Sequence, residues 1–187
     1  MTVAQVRQVL YDWVVGEVPV GLKVRWSRTN ALQPVLPYLD IWIQDVRARE
    51  HDETSGADTD GDTTTAGQRV GRLTADLYGP ADPAHADYLD GLEVLEDLRQ
   101  SVRDSSVAQT LSGLGVGYRG GDDGGVRDLS YLVDAAIRQR SRVEFLFGFT
   151  RTRVASPGAL AGVSGEIVLT DEGGTEQDPV DFSHDLE

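Results

Sequence analysis

VRDLSYLVDAAIRQRSRVEFLFGFTRTR, residues 126–153, decides how this chain is read. Val143, Phe145, Phe147 and Phe149 alternate with Glu144, Leu146, Gly148 and Thr150, and a period of two places the first set on one face of a sheet. A face this apolar needs a second layer to cover it. The run before it, residues 132–137, reads as helix-like. Arg138, Arg140 and Arg142 precede the strand, and Arg151 and Arg153 follow it. The stretch holds six arginines against Asp128, Asp134 and Glu144, a local charge of +3 in a chain whose formal charge is -14. One basic patch on an acidic body suits a head-to-tail contact with a neighbour's acidic loop, which generates a ring if the rotation closes. The same arginines could instead serve carboxylates of their own chain.

The rest of the composition narrows the function classes. The 187 residues suffice for one domain with a real core, a domain usually taking roughly 100–200. There are 31 acids against 17 bases, and Lys23 is the only lysine. Acidic, arginine-based and lysine-poor composition resembles that of extreme halophiles. Molar salt screens charge over about 3 Å, so dense carboxylates stop repelling one another and keep the surface hydrated. A GC-rich bacterial source would also favour Arg over Lys. Without cysteine there is no disulfide framework and no thiolate chemistry. No stretch approaches the roughly 18 apolar residues of a membrane span. The N-terminus lacks a signal peptide's pattern, so synthesis in the cytoplasm is expected. The net charge opposes indiscriminate DNA wrapping, which needs excess Lys and Arg.

Around the phenylalanine strand, the pattern predicts an α+β fold. Thr2 caps a helix over residues 2–14, with Gln5 completing the cap and Gly16 ending it. Alternation at Leu22, Val24 and Trp26, then at Leu39, Ile41 and Ile43, and then at Leu73, Ala75 and Leu77 predicts three strands. Residues 50–67 form an acidic hairpin loop between the second and third. Asp82-Pro83 opens a central amphipathic helix whose buried stripe is Tyr88, Leu92, Leu95, Leu98 and Val102. Phe145, Phe147 and Phe149 are expected to pack beneath Leu92, Leu95 and Val102. A short helix over residues 106–111 precedes a glycine-rich connector containing Val116 and Tyr118, and a last strand falls at residues 166–170. The domain reading is a single α+β unit over residues 1–170, a mixed or antiparallel sheet with a long hairpin packed by the N-terminal and central helices. An acidic tail follows at 171–187.

No catalytic constellation accompanies this pattern. Gly115-Val116-Gly117-Tyr118-Arg119-Gly120 matches G-x-G-x-x-G, but a helical piece precedes it and more glycine follows, so a turn is the better reading. Asp58, Asp60 and Asp62 alternate as in calcium loops, yet Thr63 and Arg69 stand where an EF-hand needs Gly and Glu. They are weak metal candidates beside a solvated acidic loop. His51, His85 and His184 are scattered, with His85 placed in the first turn of the central helix. Asp87, Asp90, Glu93 and Asp97 form a solvated helix face. No cofactor is expected, and the chain reads as an assembly component rather than an enzyme.

The order of elements resembles the neck and tail-terminator proteins of tailed viruses. An N-terminal helix, a long hairpin with a variable loop and a central helix lead to a run of the form VRDLS–LVD–R–VEFLFGF. That run is carried here by residues 126–130, 132–134, Arg140 and 143–149. The resemblance covers residues 3–154; the acidic loop, the connector and the tail after Ser156 depart from it. It implies a non-enzymatic virion protein, a hexameric ring ending tail-tube growth and joining tail to head. Its implied partners are further copies, the tail tube protein and a stopper or head-completion protein. Genomic DNA would pass through the lumen without sequence-specific binding. With the halophile composition, the implied source is a virus of haloarchaea. Another neck or minor tail component is the alternative within assembly; a cytoplasmic cation- or small-ligand-binding protein is the alternative outside it. The cluster Arg138, Arg140, Arg142, Arg151 and Arg153 is assigned to subunit contacts. Some acids of residues 50–62 or 171–187 are assigned to the lumen or an adjoining ring.

Overall fold

The computed structural model describes residues 1–27, 32, 34–59, 62–120, 125–133, 136–155, 163–167 and 180–184. In chain order the elements are α1 (Val3–Glu17), β1 (Lys23–Trp26), β2 (Tyr38–Ala48), β3 (Glu53–Thr54), β4 (Thr63–Pro80), α2 (Gly91–Ser101) and α3 (Ser105–Gly113). There follow β5 (Val116–Gly120), β6 (Arg127–Asp128), β7 (Tyr131–Val133), β8 (Ala136–Ala155), β9 (Val163–Ile167) and β10 (Val180–His184). The fold is α+β. An eight-stranded sheet has the order β1-β2-β4-β8-β5, with β3 added to β4 and with β6 and β7 added to β8. β1 runs parallel to β2, whereas β2 with β4 and β5 with β8 are antiparallel.

The chain divides into two compact units. One is Met1–Thr54 with Thr65–Arg153; the other is Ser55–Thr64 with Val154–Glu187. The second unit contains the antiparallel pair β9–β10, so the acidic tail includes a strand. It holds 11 of the 31 acids and none of the 17 bases, leaving 20 acids against those 17 bases in the first unit.

In the first unit, α1 starts where the sequence places it. Thr2 Oγ1 accepts from Gln5 N at 3.2 Å, and Gln5 Oε1 accepts from Thr2 N at 2.7 Å. The helix runs through Gly16 and ends where the Val18 amide donates to the Val14 carbonyl. Val6, Leu10, Trp13 and Val14 face inward at helical spacing. They meet one face of the sheet: Leu39 and Ile41 of β2, Leu73, Ala75 and Leu77 of β4, and Val143, Phe145, Phe147 and Phe149 of β8. Leu95, Leu98, Val102 and Leu111 of the α2–α3 segment complete this core. The phenylalanine face thus shares its core with α1 as well as with the α2–α3 segment. Trp13 makes edge contacts with Phe145 and Phe147 at 5.3 and 5.7 Å. Leu92 is a correction: it is 41% exposed, while Leu95 is fully buried.

Two expected helical stretches are something else. Asp82 Oδ1 accepts from Ala84 N at 2.9 Å and closes only a turn. Helix α2 starts nine residues beyond Asp82, at Gly91, where Asp90 Oδ1 accepts from Leu92 N and Glu93 N. Gly91 is needed there because a Cβ would sit 2.7 Å from Ser141 Oγ. His85 therefore lies in a loop, where its Nδ1 accepts from Asp87 N. Residues 132, 133, 136 and 137 lie in strands, not in a helix: β7 pairs antiparallel with the start of β8, Leu132 opposite Ile137. Leu132 and Ile137 are both strongly exposed, so a helix there would have no apolar face to bury. The backbone bonds to the neighbouring strand instead. The acidic loop is also shorter than expected, because the β-branched run Thr63-Thr64-Thr65 belongs to β4 and β3 pairs with it.

Candidate interaction surface

The helices cover one face of the sheet; chemistry gathers on the other. Strand alternation sends Tyr38, Asp40 and Trp42 of β2 to that face, with Thr74, Asp76 and Tyr78 of β4 opposite them in register. Arg25 of β1 pairs in register with Asp40, which itself sits opposite Asp76. Two carboxylates side by side on neighbouring strands repel, and both are buried, Asp76 completely. Burying an unpaired carboxylate costs several kcal/mol, by order of magnitude, so the arrangement stands only with cations on it.

Three guanidiniums supply the charge. Arg25 forks onto both oxygens of Asp40. Arg140 donates to Asp76 Oδ2 from Nη2 at 2.5 Å and from Nε at 3.0 Å. Arg142 donates from Nε to Asp76 Oδ1 at 2.7 Å and from Nη2 to Oδ2 at 2.9 Å. Beside them Arg72 pairs with Glu144 at 3.2 Å. Aromatic rings complete the layer. Tyr38 stacks on Tyr78 at 5.0 Å, Arg25 lies 5.0 Å from the Tyr38 ring, Arg140 5.4 Å from Tyr78 and Arg142 5.2 Å from Trp42. Each such cation–ring contact contributes about 0.5–1 kcal/mol or more. Burial, and next the Asp76 charge, push the Tyr78 hydroxyl up to about 12. The Asp76 hydrogen bonds, in turn, hold the Arg142 guanidinium above its usual value.

The five arginines assigned to subunit contacts therefore part company. Arg140 and Arg142 are engaged by a carboxylate of their own chain; Arg138, Arg151 and Arg153 are exposed. Arg151 and Arg153 line a shallow hollow of about 180 Å³ with Asp52, Thr65 and Arg69. Arg69 there clasps Asp52 through both nitrogens, at 2.5 and 2.6 Å, and holds that carboxyl below its ordinary range.

The remaining candidates fall apart as a site. Asp58 Oδ1 accepts from Asp62 N at 2.9 Å, closing its own loop, and Asp60 lies outside the described residues. Among the described residues, no group of His, Asp and Glu is placed to hold a metal ion. The G-x-G-x-x-G run lies on β5, paired with β8. No helix among the described residues is long and apolar enough to cross a membrane. Sequence reading missed Asp40, Asp76, Arg25, Tyr38 and Tyr78. Their signal was present: an acid inside each of two apolar strands, at the alternate position, is costly unless cations lie across it.

A family model described as phage neck terminator protein matches residues 4–172. Comparison with curated proteins found no match.

Proposed function

This chain belongs to the phage neck terminator protein family and is a structural protein of the virion's tail and neck, and from that premise we propose that it is the tail terminator itself. In this reading, copies close into a ring, most simply of six, on the head-proximal end of the tail tube. The ring stops tube polymerisation and presents a surface for the stopper or head-completion protein above it. The family match over residues 4–172 carries the proposal. Of the arginine cluster, exposed Arg138, Arg151 and Arg153 are offered to neighbours, while Arg140 and Arg142 hold the fold around Asp76.

The charge division fits a DNA conduit. A unit with 11 acids and no base repels phosphate, so part of it facing the bore would let DNA slide without counterion-release binding. We also read the lysine-poor acidity as adaptation to molar salt, as in a virus of haloarchaea. Native mass spectrometry of the full chain in volatile salt, with sedimentation in molar KCl, tests the ring: a closed oligomer is expected. A monomer at every concentration, and no ring in virions, would overturn the reading.

A further inference from the structure

Strand β8 carries its inner face past the core. Phe145, Phe147 and Phe149 are buried there; Arg151 and Arg153, next at the same period, are exposed. They line the shallow hollow of about 180 Å³ together with Thr65 and Arg69 of β4 and with Asp52. Three arginines therefore face one carboxylate. That carboxylate is already clasped by both Arg69 nitrogens, with Arg151 attracting it from farther off. Gly67 leaves room for the clasp, since a Cβ there would overlap the Asp52 carboxylate. Among the described residues, neither Arg151 nor Arg153 has a hydrogen bond or an ion pair of its own.

Arginines at alternate positions of one strand stand about 7 Å apart, two residues at roughly 3.3 Å each, and repel. An anion entering the hollow relieves that repulsion, and guanidiniums grip a carboxylate through paired hydrogen bonds. The chain supplies such an anion. Residues 168–179 join β9 to β10 and contain Asp171, Glu172, Glu176 and Asp178 with no base. The other acidic loop is less available, because Asp58 Oδ1 already accepts from Asp62 N.

We propose that the Arg151–Arg153 hollow of one copy receives the acidic 168–179 connection of the next. This rests on the ring reading above and names a contact that closes it. Hollow and connection are different patches of one chain, so the contact is heterologous and propagates from copy to copy until it closes. Arg69 stays with Asp52, while Arg151 and Arg153 take the neighbour's carboxylates. Ion pairs drawn into a hollow are screened less than exposed ones, so salt weakens this contact less than a pairing on open surface.

Charge reversal in the full chain tests the contact. One variant carries Arg151→Glu with Arg153→Glu, both at exposed positions; the other carries Asp171→Arg, Glu172→Arg, Glu176→Arg and Asp178→Arg. Native mass spectrometry in volatile salt, with circular dichroism to check the fold, should show each variant alone as monomer at concentrations where the unmodified chain is a ring. Arg151→Ser with Arg153→Ser, which adds no opposite charge, should lose the ring as well. Mixed one to one, the two reversed variants should form rings with equal numbers of both, because each hollow meets opposite charge only on the other variant. Rings from either variant alone, or a mixture without rings, would overturn the contact while leaving the ring reading standing. Rings from one chain carrying both sets of changes, but not from the mixture, would place the contact within a copy and also overturn it. Intact rings of the Arg151→Glu, Arg153→Glu variant with lost retention on duplex DNA would assign the hollow to phosphate instead. An unmodified chain that is monomeric throughout would overturn both readings.

Discussion

Arg142 and Asp76 meet through two parallel hydrogen bonds, Nε to Oδ1 at 2.7 Å and Nη2 to Oδ2 at 2.9 Å, with the carboxylate fully buried and the guanidinium one quarter exposed. Arg140 holds the same carboxylate from its other side. Arg142→Ala should cost about 1.5–3 kcal/mol, the range for a hydrogen bond to a charged group. The double replacement of Arg140 and Arg142 by Ala should cost about 3–5 kcal/mol, because it strands a buried charge. The sum of the two single losses should differ from the double, since both arginines share one acceptor. Arg142→Glu should therefore unfold the subunit rather than merely block assembly. Urea denaturation of the four variants checks this; an unchanged midpoint for Arg142→Glu would show that Asp76 does not need its arginines.

Phe147 is 1% exposed and touches Trp13, Tyr118 and Phe145. Phe147→Ala should destabilise by about 3–5 kcal/mol. Leu92→Ala, at a half-exposed site on the same side of the molecule, should cost well under half as much. Comparable losses at the two positions in a denaturant series would contradict the burial described here.

Tyr78 supplies a pH dependence. Its hydroxyl, ordinarily near 10.0, is raised to about 12 in the fold by burial and then by Asp76. The unfolded chain releases this proton first as pH rises, so the native state binds more protons between the two values. The stability linked to Tyr78 is complete below pH 10 and is lost as pH climbs toward 12. Tyr78→Phe should remove this part of the alkaline loss, measured as the midpoint of thermal unfolding from pH 9 to 12. A Phe variant with an unchanged alkaline slope would assign the loss to another group.

Salt should act unevenly. The unit formed by Ser55–Thr64 and Val154–Glu187 has 11 acids and no base, whereas the first unit is nearly balanced. Lowering salt lengthens the screening distance from about 3 Å at molar strength to about 10 Å at 0.1 M. Hydrogen exchange in residues 163–167 and 180–184 should accelerate in dilute buffer before exchange in α1 or β8 does. Equal protection of all four segments in dilute buffer and in molar KCl would mean that the acidity is not a salt adaptation.

The sequence made the core legible because its signals are periodic. Phe145, Phe147 and Phe149 announce a strand and its inner face, and the cap formed by Thr2 and Gln5 fixes the start of α1. Signals that depend on distant partners were not legible. The helical spacing of residues 132–137 misled for a nearer reason: Leu132 and Val133 pair with Ile137 and Ala136 of the same short stretch, and that pairing outweighs a weak local preference. The arginine cluster was visible as charge, yet what distinguishes Arg140 from Arg138 is a carboxylate more than sixty residues earlier. Spacing along a chain carries no information about that meeting.

The paired rings and charges also govern how the strands align. Sliding β2 along β4 by two residues would leave Leu39, Ile41 and Ile43 on the core side, so apolar burial alone tolerates the slip. The charged face does not. Tyr38 would leave Tyr78 and Trp42 would leave the Arg142 guanidinium, although each carboxylate would keep its own arginines. The layer thus works as a key cut for a single alignment. A misaligned subunit would displace whatever the strand ends carry by about 7 Å, two residues at roughly 3.4 Å each.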